Sequence, residues 1–151
     1  MTVYLDTSSF IKLFVEEAGS DTVRVLASDA LVVTSVVAYA EARAALARRR
    51  REAAIGSVAF AAAKRAFDTW WPTVVAIEVS SDLARTAGDI AERFRLRGFD
   101  SVHLATYTAV AAQRGLDAVS FSSFDDALNR AADTWRRQAR RSSVSRRRAR
   151  S

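Results

Sequence analysis

The sequence predicts an α/β fold, a parallel sheet flanked by helices, on three observations. Short apolar runs of strand length alternate with longer segments of helical periodicity. Glycine, proline and capping residues punctuate the boundaries between them. The chain has 151 residues, half of them hydrophobic, which suits one domain with one buried core.

Val3 to Leu5 reads as a buried strand that ends at Asp6. Thr7, Ser8 and Ser9 then offer caps to a helix in which Phe10, Leu13 and Phe14 recur at helical spacing, until Gly19 and Ser20 break it. Asp21 to Ser28 reads as a second helix. Leu31 to Thr34 is a second strand, with Ser35 as the expected cap of a helix running through Glu41 and Leu46 to about Arg51. A further helix follows Gly56 and runs to Trp70, where Pro72 stops it. Val74 to Val79 is a third strand. Ser81 or Asp82 is expected to cap a helix ending near Arg97, with Gly98 as its stop. Asp100 begins an alanine-rich helix to Arg114. Ala118 to Phe121 is the fourth strand, and Ser123 opens a last helix through Ala132. Strands alternating with helices of this length imply parallel pairing with right-handed crossovers.

Charge is distributed unevenly. Eight of the 23 basic residues, all arginine, follow position 135 with no acid among them; the first 135 residues hold the other 15 against all 17 acids, a formal charge of −2. The expected organisation is therefore a domain over residues 1–134 and a basic, disordered tail over 135–151. Such a tail favours polyanions without sequence preference, or serves only as a solubilising end.

The absence of cysteine excludes disulfides, thiolate metal sites and thiol nucleophiles. A single histidine, His103, excludes a multi-histidine metal centre. Any metal must be held by oxygen, which points to magnesium or manganese. No basic leader and no apolar run of membrane-spanning length is present, so a cytoplasmic protein without membrane partners is expected.

Ligand sites in open parallel sheets lie beyond the carboxyl ends of the strands. Asp6 follows the first strand, Asp125 follows the fourth, and Asp100 starts the helix leading to it. Glu41 lies inside a helix among Val37, Ala38, Ala40, Ala42, Ala44 and Ala45, where a lone charge is costly. Clustered carboxylates repel one another, and a divalent cation converts that repulsion into affinity. Such a centre hydrolyses a phosphodiester without a protein nucleophile. Simpler roles compete for each acid: Asp6 as a helix cap, Asp125 as a complement to a helix dipole, Glu41 as an ion-pair partner of Arg43. Ser123 and Asp126 match a capping box, which makes Asp126 structural.

These segments resemble the motifs of the PIN-domain ribonucleases, specifically the VapC-type toxins. Val3-Tyr4-Leu5-Asp6-Thr7-Ser8-Ser9 is similar to the family's opening strand. Thr34-Ser35-Val36-Val37-Ala38-Tyr39-Ala40-Glu41 is similar to its second motif. Leu96 to Ala105, with Asp100 at its centre, is the most specific match, and Ser122-Ser123-Phe124-Asp125 is similar to the fourth motif with serine in place of threonine. The resemblance covers about residues 1–134. It implies a PIN-like, Rossmann-like sheet. It implies Asp6, Glu41 and Asp100 as metal-binding acids, Asp125 as a fourth, and Ser8 and Ser123 as supporting hydroxyls. It also implies a Mg2+- or Mn2+-dependent endoribonuclease acting as the toxin of a toxin–antitoxin pair, with RNA as substrate, a cognate antitoxin as partner and a homodimeric state. His103, one turn after Asp100, reads as structural.

RNA should meet basic residues at the rim of the crevice. Arg43 and Arg97 are the named candidates, with Lys12 and the run Arg48 to Arg51 beside them. Phe67, Trp70 and Trp71 read as packing rather than base stacking, and an antitoxin helix could cover apolar grooves near Phe10, Phe14 and Val37. Two other functions remain open: a phosphotransfer enzyme using Asp6 as nucleophile, and a non-catalytic nucleic-acid binder driven by the tail.

Overall fold

The first strand, β1 (Thr2–Leu5), is buried along its whole length, as a central strand covered on both faces requires. A computed structural model describes the backbone of residues 1–148 and the side chains of residues 1–142. Around β1 stand β2 (Leu31–Ser35), β3 (Val75–Ile77) and β4 (Val119–Ser122), in the order β3-β2-β1-β4 and all parallel. The helices are α1 (Thr7–Phe10), α2 (Ser20–Ser28), α3 (Val37–Arg51), α4 (Ser57–Trp70), α5 (Ser81–Phe94), α6 (Gly98–Arg114) and α7 (Asp126–Arg148). The expected α/β architecture is present.

Alternation along the strands divides the core in two. Tyr4 and Val33 point to one face and pack with Ala87, Ile90, Leu104, Tyr107, Val110, Leu128 and Ala131 of α5, α6 and α7. Val3, Leu5 and Val32 point to the other face, against Phe10, Val23, Ala42 and Phe67 of α1 to α4. Phe67 is fully buried, and Phe10 packs edge-on against it with ring centroids 5.8 Å apart, so the aromatic cluster before Pro72 is core. Strand order reverses beside β1: the chain winds outward to β3, then crosses to the far side of β1 to lay down β4. The carboxyl ends of β1 and β4 therefore flank the crevice that this reversal opens.

Several boundaries depart from the sequence reading. Asp6 rather than the following hydroxyls caps α1, accepting from the Ser9 N–H at 2.9 Å, and the helix tightens into a 3-10 turn over Ile11–Leu13. Ser35 is the last residue of β2 rather than a cap; its hydroxyl is the one buried side-chain polar atom without a hydrogen bond among the described residues. Ser80, not Ser81 or Asp82, caps α5 through the Leu83 N–H. Helix α5 stops at Arg95 in the left-handed region (φ 56°), so Gly98 begins α6 instead of ending α5. Asp125 caps α7, its Oδ1 accepting from the Leu128 N–H at 2.8 Å, which leaves Ser123 free of the capping box.

The last helix also does not end at Ala132. It continues to Arg148, and the boundary at residue 134 falls inside it. Trp135 packs edge-on against Tyr107 with centroids 5.6 Å apart. The Arg136 guanidinium donates to the Tyr107 hydroxyl and to the Val119 carbonyl, and Arg140 donates to Asp117. The start of the basic segment is thus built into the domain. Arg150, also assigned to the tail, lies outside the described residues.

Truncation after residue 134 should therefore cost about 2 kcal/mol through loss of the Trp135 contact, read by urea unfolding against the full chain.

Candidate metal-binding and catalytic site

Asp6, Glu41, Asp100 and Asp125 line one cleft of about 620 Å³. They arrive from four elements: the end of β1, the second turn of α3, the first turn of α6 and the cap of α7. Thr7, Ser8, Lys12, Arg97, His103 and Phe124 share its walls.

Two of the acids serve as helix caps and still reach the cleft. Asp6 is 4% exposed. Its Oδ1 accepts the α1 cap bond, and Ser8 and Ser123 donate to its carboxylate, Ser123 to Oδ2 at 2.7 Å. Those two serines stitch β1 to β4: the Ser8 hydroxyl accepts from the Phe124 N–H at 2.7 Å, and the Ser123 hydroxyl from the Asp125 N–H at 3.0 Å. Asp125 caps α7 through Oδ1 and turns Oδ2 toward Arg97 at 3.3 Å. Asp6 and Asp125 thus each cap a helix and still line the cleft, because a carboxylate has two oxygens and a cap needs one.

Glu41 is held differently. The Thr7 hydroxyl donates to its Oε2 at 2.6 Å, and His103 Nε2 lies 2.9 Å from the same atom. A carboxylate only accepts, so Nε2 is the donor, while Nδ1 pairs with the Tyr4 hydroxyl at 2.9 Å. His103 is buried, and its role here is to orient Glu41. Arg43 is not the partner of Glu41: it pairs with Asp68 at 2.9 Å and with the Tyr39 hydroxyl, away from the cleft.

Electrostatics follow from this packing. Burial pushes the Asp6 carboxyl above its ordinary range, with the serine and backbone donors offsetting only part of the penalty. Burial acts in the same direction on Glu41, but there the His103 and Thr7 hydrogen bonds prevail and its pKa is lowered. Arg97 bridges Asp100 at 2.7 Å and Asp125 at 3.3 Å with a side chain that is 79% exposed. An exposed guanidinium thus neutralises two of the four acids.

The donor set has the character of a hard-metal site. It offers carboxylate and hydroxyl oxygens, and both nitrogens of the only histidine are engaged within the protein. Among the described residues, however, no three acidic or histidine side chains converge closely enough to hold an ion in this arrangement, with Arg97 drawn between Asp100 and Asp125. The oxygen donors suit magnesium or manganese in chemistry, and a site for either would need Arg97 moved from between Asp100 and Asp125.

The other rim candidates separate. Lys12 is buried, donating to Glu17 and the Ala18 carbonyl at 2.8 Å each, and Arg49 pairs with Glu17. Arg48 and Arg51 line the cleft, exposed and without an ion pair among the described residues. Phe10, expected at a docking groove, is fully buried; Phe14 lines a separate apolar depression with Leu13, Ala27 and Trp70. Sequence reasoning missed Thr7, Tyr4 and Phe124. Thr7 adjoins Asp6 and could have been noticed, but nothing local announces Tyr4 as a partner of a histidine 99 positions away.

Comparison with known proteins gives the family and the fold. The PIN domain matches residues 3–134. Ribonuclease VapC45 and Ribonuclease VapC49, both of Mycobacterium tuberculosis, are each 37% identical over 110 residues, 72% of this chain and 76% of theirs. The crystal structure of Mycobacterium tuberculosis VapC20, described as a Sarcin-Ricin loop cleaving toxin, aligns with a TM-score of 0.63 over 86% of this chain and 95% of that one; at 23% identity the likeness is one of fold.

The raised pKa of Asp6 makes a stability prediction. A carboxyl whose folded pKa lies above its unfolded value stabilises the fold while protonated and loses that contribution as pH rises through the folded value. Without metal, Asp6→Asn should raise the midpoint of thermal unfolding at pH 7, because it removes the burial penalty on the carboxylate. The difference should vanish below the ordinary aspartate range. Differential scanning fluorimetry with a chelator present measures both, and a less stable variant at pH 7 would contradict it.

Proposed function

The chain belongs to the PIN-domain family, and on that premise we propose that it is an endoribonuclease, the toxin member of a toxin–antitoxin pair. The observation that supports this reading is the meeting of Asp6, Glu41, Asp100 and Asp125 in one cleft at the strand-order reversal. The similarity to proteins named as ribonucleases points the same way.

Asp6, Glu41 and Asp100 are the residues that would hold Mg2+ or Mn2+, with Asp125 as a fourth acid beside them. When bound, the ion supplies an activated water and offsets charge on the scissile phosphate. The protein contributes orientation. Ser8 and Ser123 fix the Asp6 carboxylate, Thr7 and His103 fix that of Glu41, and Arg97 keeps Asp100 and Asp125 neutralised until it is displaced. Arg48 and Arg51 offer phosphate contacts at the rim, and Arg97, once released from the acids, adds a third. Arg43, held by Asp68, takes no part.

An antitoxin is the partner that such a toxin requires, and the depression lined by Leu13, Phe14 and Trp70 is an apolar surface suited to an amphipathic helix. A homodimer and a cytoplasmic location, where the RNA substrate resides, belong to the same proposal. No helix among the described residues is long and apolar enough to cross a membrane. The phosphotransfer alternative is disfavoured by Asp6 itself: a buried carboxylate that accepts hydrogen bonds from three neighbouring serines is poorly placed for nucleophilic attack.

Asp100→Asn should lower the rate of RNA cleavage by about a thousandfold or more while leaving the circular dichroism spectrum unchanged, since charge stabilisation at the reacting phosphate is the largest contribution to such catalysis. Titrating Mg2+ or Mn2+ into chelator-treated protein should restore cutting by the unmutated chain. Undiminished cleavage by the variant, or full activity in excess chelator, would refute the proposal.

A further inference from the structure

Arginines lead away from the cleft along the connection between α5 and α6. Arg97 stands at the rim with its side chain largely in solvent. Arg95, two residues back, is exposed and has no hydrogen bond or ion pair among the described residues. Arg93, in the last turn of α5, is exposed as well. Its guanidinium lies over the Phe94 ring, 5.0 Å from the centroid, and donates to Gln138 Oε1 of α7 at 2.5 Å. That bond joins the end of α5 to the basic half of α7. There Arg137 and Arg141 are exposed, and their spacing of one turn puts them on the same side of the helix.

Elsewhere on the surface Arg24, Arg43 and Arg85 are each paired with an acid. None of Arg93, Arg95, Arg137 and Arg141 is, among the described residues. Arg93 and Arg137 donate only to neutral groups, Gln138 and Thr134. Glu92 adjoins Arg93 and Asp133 precedes Arg137 by one turn, yet neither draws its neighbour into an ion pair, so these guanidiniums stay open to a ligand. Arg95 also occupies a place that its side chain does not suit. It closes α5 in the left-handed region, at φ 56°, where glycine is favoured and a side chain costs conformational energy. Helix termination alone would be better served by glycine, so a guanidinium at that position calls for a separate reason.

The cleft by itself is a poor attractor of a polyanion. Its carboxylates repel phosphate, and Arg97 is spent on two of them. Cations beyond the rim remove that obstacle, and a row of them binds a phosphate backbone without regard to base sequence. We propose that Arg93, Arg95, Arg137 and Arg141 form a track, leading from the cleft past Arg97, that holds the RNA backbone outside the cleft. This inference rests on the ribonuclease reading and adds to it a binding surface apart from the reacting centre. RNA too short to leave the cleft gains nothing from the track.

The test uses the full chain in chelator, so that nothing is cut, with fluorescently labelled RNAs of about four and about twenty nucleotides. Arg93→Gln, Arg95→Gln, Arg137→Gln and Arg141→Gln combined should weaken binding of the longer RNA about tenfold or more in fluorescence anisotropy. The slope of log affinity against log salt should flatten by about 3, which is ~0.7 for each of four phosphate contacts. Affinity for the shorter RNA, and kcat for its cleavage once metal is restored, should not change. Arg24→Gln, Arg43→Gln, Arg65→Gln and Arg85→Gln combined remove the same charge elsewhere and should alter affinity by less than about twofold. Arg95→Gly separates binding from folding: it should raise the midpoint of thermal unfolding, since glycine suits the left-handed cap, while weakening the longer RNA. An unchanged salt slope, an equal loss for both RNA lengths, or an equal loss in the control set would overturn the proposal. Asp100→Asn keeps the two readings apart: cleavage by that variant would remove the ribonuclease assignment, whereas failure of the track variants alone would leave it standing.

Discussion

The structure depends on keeping an ionisable carboxylate, Asp6, buried at the end of a central strand. That position is forced by topology. β1 lies inside the sheet, helices cover both its faces, and the reversal of strand order brings β4 alongside it. A carboxylate placed there loses most of its water, and the chain answers with three donors: the Ser9 amide and the Ser8 and Ser123 hydroxyls. The same serines accept amide hydrogens from the β4 loop, so the bonds that solvate Asp6 also fix the geometry of Asp125. Local folding and site assembly are one network.

Around this centre the acids are arranged by contrast. Glu41 is oriented by a chain reaching from Thr7 through His103 to Tyr4 and thence into the aromatic core of the opposite helix layer. Asp100 and Asp125 are neutralised by a solvent-exposed arginine that little else holds. Asp6 and Glu41 are thus held by hydrogen bonds from within the fold, whereas Asp100 and Asp125 share an exposed arginine. Repulsion among the carboxylates is contained by these partners.

The rim shows how charge on paper differs from charge at work. Lys12 and Arg49 are consumed by Glu17, and Arg43 by Asp68, which leaves Arg48 and Arg51 as the cations of the cleft wall that RNA could use freely. Lys12 Nζ also lies 4.2 Å from the centroid of the Phe124 ring. The arginine-rich end of the chain likewise begins as architecture, with Arg136 tied to Tyr107 and Val119.

The amino-acid order by itself determined the parallel α/β class, the extent of most elements, and the four acids to examine. These follow from local physics: strand and helix periodicities, breakers, and the cost of placing Glu41 among alanines. It also marked Ser8 and Ser123 as residues of interest through resemblance. What it left undecided were relations between distant residues. Helix caps slipped by one or two positions because several adjacent hydroxyls and acids compete for the same amides, and only packing selects Asp6, Ser80 and Asp125. The last helix outran its expected end because Trp135 and Arg136 find partners on α6 and β4 that no local pattern reveals. Which arginines remain available and which tyrosine steadies His103 were decided by tertiary structure alone, since each depends on a contact between residues that the chain separates by tens of positions.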